Sequence, residues 1–147
     1  MERAEKAARH FAAGFNCAQS VLLPYAEEAG LSCDQAARLA SALGGGMGRA
    51  GETCGAVSGA AVVIGLLLGP AHPADRAAKE RCYAAARRFV HAFQQRHRGL
   101  RCRELLGVDI GTPEGRRSFH EHRMVETHCT HFVCDAVAIL EEILASQ

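Results

Sequence analysis

Seven cysteines are the residues of this chain best equipped for chemistry: Cys17, Cys33, Cys54, Cys82, Cys102, Cys129 and Cys134. An odd number cannot all pair within one chain. No two are spaced as C-x-x-C, so any working dithiol has to be assembled by the fold, and the absence of C-x-x-C-H excludes covalent c-type haem. Thiols spread this widely in a reducing compartment point to metal ligation or thiol redox chemistry, because standing disulfides do not persist there. The alternative for any single cysteine is that of a small buried apolar residue.

One thiol sits in unusually bare backbone. The stretch MGRAGETCGAVSGAA, residues 47–61, carries Gly48, Gly51, Gly55 and Gly59 around Cys54. Gly48, Gly51 and Gly55 would let the main chain approach whatever Cys54 binds, and they are the candidate cofactor-binding residues. Gly55 and Gly59, four apart, also leave a bare stripe that lets a neighbouring helix come close. A phosphate loop would need G-x-x-x-x-G-K-[ST] after a strand. Here there is neither the lysine nor the strand.

The elements that must position these thiols read as helices. The first covers about 2–13 and ends at Gly14. The second starts at the cap Asn16, with Gln19 completing a capping box, and runs to about residue 29 with a bend at Pro24. The third starts at the cap Ser32 with Gln35 and ends at Gly44. Thr53 is the expected cap of a fourth helix reaching Leu68. The fifth has Pro73 in its first turn and ends near His97. It carries the apolar stripe Ala78, Cys82, Ala85, Ala86, Phe89, Phe93, which makes Cys82 a packing residue. A short helical turn comes next in LRCRELLG, another helix begins at Pro113, and the last spans about 127–145. Cys134 lies off its apolar stripe. No run alternates like a strand. The expectation is an all-α, single-domain bundle of five or six helices over residues 1–147.

Four thiols share a position in this scheme. Cys17 and Cys54 directly follow proposed caps, Cys102 lies in a first turn, and Cys129 lies near the start of the last helix. Cys33, after the cap Ser32, is a fifth. First-turn amides have no intrahelical acceptor and sit at the positive end of the helix dipole, so both features favour the thiolate. His128 and His131 share a helix face beside Cys129 and could add nitrogen ligands, against the plainer reading of a solvated face. The basic run RHRGLRCR, 96–103, could lower the pKa of Cys102 or guide an acidic partner.

Composition narrows the remaining classes. The chain of 147 residues is 48% apolar with a formal net charge of +1. That charge gives no general attraction to nucleic acid or acidic membranes, and the basic run lacks interleaved aromatics. The longest apolar stretch, 56–68, is shorter than the roughly 20 residues of a membrane span. The first residues lack the apolar run of a signal peptide, so a cytoplasmic protein is expected.

The blocks FNCAQSVL around Cys17, GGGMGRAGETCGAVSGA around Cys54, CRELLGVD around Cys102 and HCTHFVCDAVAILEEIL around Cys129 occur in order along nearly the whole chain. In these it resembles a family of redox-active proteins named for the cysteine pattern C…CGAxxG…C…C. The resemblance implies four functional thiols, Cys17, Cys54, Cys102 and Cys129, and a role in redox or electron transfer. Cys33, Cys82 and Cys134 fall outside the pattern. The leading expectation is an iron–sulfur cluster held by the four family cysteines, serving a redox partner protein. A thiol–disulfide protein that cycles two of the four is the second expectation. A zinc-stabilised binding or sensing module is the third. Glycine-lined helix faces also make a homodimer a reasonable expectation.

Overall fold

A computed structural model describes residues 2–147. It is all helical, and the described residues contain no strand beyond a single antiparallel bridge between Thr53 and Arg101. Eight right-handed α-helices succeed one another: α1 (Arg3–Ala12), α2 (Cys17–Leu22), α3 (Cys33–Leu39), α4 (Gly55–Leu68), α5 (Arg76–His97), α6 (Cys102–Leu106), α7 (Pro113–Glu121) and α8 (Thr130–Ala145). The count exceeds the expected five or six because the short pieces α6 and α7 are complete helices.

Several expected boundaries move for local reasons. The boxes at Asn16/Gln19 and Ser32/Gln35 form as the sequence suggests, each with both reciprocal hydrogen bonds. Pro24 does not bend a long helix. It sits in a 3-10 turn, Leu23–Tyr25, that ends α2, because proline has no amide to continue the α-ladder. Thr53 is not the cap of α4; Cys54 is, since Thr53 is drawn into the bridge with Arg101. The cap of α5 is Asp75, which accepts from the Ala78 amide at 3.1 Å, and Pro73 lies outside the helix. The last helix begins at Thr130, preceded by a π-helical turn over Val125–Cys129.

Helix α4 is apolar on nearly every face and forms the middle of the molecule, against α2, α5 and α8. A helix that is apolar all round belongs inside. Its contact with α2 is close because two glycines face it: a Cβ on Gly59 would lie 2.8 Å from the Ala18 carbonyl oxygen, and one on Gly55 3.0 Å from the Cys17 Cβ. The bare stripe of the sequence is thus a helix-packing face. The core is completed by Phe89 and Phe93 of α5 and by Val133, Ala136, Val137 and Leu140 of α8. Cys82 packs half-buried against that core, as its place in the stripe suggests. Among the described residues no helix is long and apolar enough to cross a membrane.

The segment ahead of α4 has a conformation the sequence does not announce. Residues 45–49 all have positive φ, at 66, 69, 71, 60 and 68°, and so wind as one left-handed turn. Three of the five are glycines. Met47 and Arg49 are not, and each L-residue in this region costs roughly 1–2 kcal/mol. Long-loop hydrogen bonds hold the turn: the Gly48 amide donates to Ala42 O at 2.9 Å, and the Glu52 amide to Gly46 O at 2.9 Å.

Candidate functional site: a four-cysteine cavity

Two loops are zipped together beside α4. The Cys54 amide donates to Leu100 O at 2.7 Å, and the Cys102 amide donates to Glu52 O at 2.6 Å. Around the Thr53–Arg101 bridge these bonds set the starts of α4 and α6 side by side, with Cys54 and Cys102 as their first thiols. Cys17 opens α2 and lies over Gly55, while Cys102 lies over Gly46, whose missing side chain makes room for it. Cys129 ends the π-helical turn ahead of α8. The extra residue of a π-turn rotates the chain beyond it, and such turns recur at functional sites.

These four thiols line one cavity of about 430 Å³. Its backbone wall is Gly44, Gly45, Gly46, Gly48 and Gly55. Its apolar wall includes Phe11, Leu105, Leu106, Ile110, Phe119, Val125 and Phe132. Of the three glycines singled out in the sequence, Gly48 and Gly55 border the cavity. Gly51 does not; its open face is covered by the Arg103 side chain. Sequence reasoning missed Gly44–Gly46 and Arg49 as wall residues. The signal was present as three consecutive glycines, but only the left-handed winding that starts at Gly45 brings Gly46 against Cys102.

The other candidates lie elsewhere. Cys33 is exposed at the start of α3, and Cys134 is half-buried with its Sγ 3.9 Å from Ala4 O. His128 bonds Thr127 Oγ1 through Nδ1 at 2.7 Å, and His131 is exposed; neither borders the cavity.

All seven cysteines are free thiols. Burial dominates the electrostatics of the site and reverses one expectation from the sequence. Cys54 does face the Ala56 and Val57 amides at the start of α4, which favour its thiolate, yet loss of water outweighs them and its pKa is pushed up to about 12. Burial, then the nearby Cys129, push Cys102 up to about 11. The basic run does not counter this, because Arg101 and Arg103 both turn to Glu52, at 3.0 and 2.8 Å. Interaction with the neighbouring Cys129, seconded by burial, holds Cys17 well above the ordinary thiol range. The same interaction lowers Cys129, against the opposing effect of its own burial.

Among the described residues, no group of three or more His, Cys, Asp or Glu is placed so that it could hold a metal ion. The donor chemistry of the cavity still suits a soft metal, with four sulfurs and no carboxylate on its wall.

A family model described as "Putative redox-active protein (C_GCAxxG_C_C)" matches residues 15–143. The match takes in all four cavity cysteines and the central block Cys54-Gly55-Ala56-Val57-Ser58-Gly59. Searches of curated proteins and of solved structures give no match.

Proposed function

The chain belongs to the C_GCAxxG_C_C family of redox-active proteins, and from that premise we propose that Cys17 and Cys129 are its working dithiol. The observation that carries this reading is that Cys17 and Cys129 line the same buried cavity, where each shifts the other's proton affinity, Cys17 upward and Cys129 downward. Cys129 attacks one sulfur of a disulfide on a partner; that S–S bond breaks and its other sulfur leaves as a thiolate. The leaving thiolate takes the Cys17 proton. The Cys17 thiolate then attacks the Cys129 sulfur of the mixed disulfide, closing Cys17–Cys129 and releasing the second partner thiolate. The partner gains two electrons and the pair loses two. Mild oxidation of the reduced protein should therefore remove two of the seven titratable thiols and give a Cys17–Cys129 crosslink on peptide mapping. If all seven stay free, or the crosslink joins other cysteines, the assignment fails.

A second reading rests on a different observation, that Cys54 and Cys102 line the same cavity. Four cysteines are the ligand count of a small iron–sulfur cluster. Cys17, Cys54, Cys102 and Cys129 would hold it, and it would supply one-electron chemistry. Binding would require the sulfurs to draw closer together and to lose their protons. Anaerobic purification, then metal analysis and a visible spectrum, separates the readings: a stoichiometric chromophore lost in Cys54→Ser and Cys102→Ser favours the cluster, and metal-free protein with the crosslink favours the dithiol.

A further inference from the structure

The cavity is larger than two sulfurs need. Its volume of about 430 Å³ falls in the range of small-molecule sites, which are mostly apolar with a few polar groups that orient the guest. The polar side chains here are few, and two are already committed. Asn16 accepts from the Gln19 amide and donates to Ser41 O, and Ser41 donates to Ala37 O. The remaining charged group is Arg49. Its stem lies over Gly45 beside Ile110, and the residue borders the cavity while remaining exposed to solvent, with no hydrogen bond or ion pair from its guanidinium among the described residues. No carboxylate borders the cavity to neutralise it. Arg49 is also held at φ 68°, in the left-handed turn that builds this wall. Strain at a non-glycine residue persists where the surrounding structure enforces it, and it clusters at ligand sites.

We propose that the four-cysteine cavity binds a small organic acid, with its apolar body against Phe11, Ile110 and Phe119 and its anionic group on Arg49. This rests on the reading of the cavity as the working redox site and adds the chemical class of its guest. A free carboxylate meets an unpaired guanidinium there, and a cationic guest of the same shape meets a like charge.

The test uses the reduced wild-type protein with octanoate or octylamine as probes. Iodoacetamide labelling of each cysteine is read by mass spectrometry, with exposed Cys33 as the internal control. Octanoate should slow labelling of the cavity cysteines at concentrations about tenfold below those at which octylamine does so, the scale of one charge-assisted contact. Cys33 should label at an unchanged rate. Arg49→Gln should abolish the preference and Arg49→Lys should largely retain it. Equal protection by the two probes, protection that extends to Cys33, or no protection overturns the proposal. Labelling needs no disulfide to form, so a failed Cys17–Cys129 crosslink with intact octanoate protection would sink the dithiol alone, and the reverse pattern would sink the acid site alone.

Discussion

Arg101 grips Glu52 with two hydrogen bonds, from Nη2 to Oε1 at 3.0 Å and from Nε to Oε2 at 3.1 Å. The pair lies on the bridge that aligns Cys54 with Cys102, so an exposed ion pair supports the backbone bonds that set two buried thiols side by side. Within the basic run, Arg101 and Arg103 both pair with Glu52.

The clamp has a pH signature. Hydrogen bonding from Arg101 lowers the Glu52 pKa in the folded protein. A depressed carboxyl stabilises the fold above its unfolded value of about 4 and loses that contribution as pH falls through the folded value. The melting temperature of the wild type should therefore drop in acid more steeply than that of Glu52→Gln. Parallel curves for the two proteins would mean that the clamp contributes nothing.

The two glycine roles on α4 separate cleanly by mutation. Gly59→Ala puts a Cβ 2.8 Å from the Ala18 carbonyl oxygen and 2.9 Å from its Cα, both backbone atoms that cannot swing away. It should cost roughly 1–3 kcal/mol in urea unfolding. Gly65→Ala, with nothing within 4 Å of the new Cβ, should instead stabilise by roughly 0.5–1 kcal/mol through helix propensity.

Strain in the left-handed turn is measurable at an exposed position. Met47 has φ 71° and is 59% exposed, so Met47→Gly removes little packing while relieving the backbone. It should stabilise the protein by up to about 1 kcal/mol, the gain being reduced by the freedom of glycine in the unfolded chain. Hydrogen exchange of the Gly48 and Glu52 amides should slow in parallel.

Site-resolved alkylation against pH should rank the cavity thiols. Cys129 should react first, with a midpoint below the ordinary thiol range, because the neighbouring Cys17 lowers it. Cys102 and Cys54 should react only towards about pH 11 and 12. Cys17→Ala should move the Cys129 midpoint upward, since burial remains and the neighbouring thiol is gone, whereas Cys17→Ser keeps a polar hydroxyl there and should move it less.

Much of this molecule was legible in its residue order. Capping boxes at Asn16 and Ser32, the apolar stripe of α5 and the all-apolar run of α4 are short-range patterns, and short-range physics forms them. The glycine pair Gly55 and Gly59 announced a close helix contact for the same reason: a missing side chain is a local fact. The features beyond reach were set by partners distant in the chain. Thr53 lost its expected role as a cap because Arg101 pairs with it, and Cys54 took that place. Helix-start amides pointed to thiolates at Cys54 and Cys102, but a thiol's charge state depends on the water left around it, and burial is decided only when all the helices have packed. The meeting of Cys17 and Cys129 at one cavity is of the same kind. Nothing near either residue specifies it, and it exists because α2 and the π-turn before α8 come to rest on the same cavity.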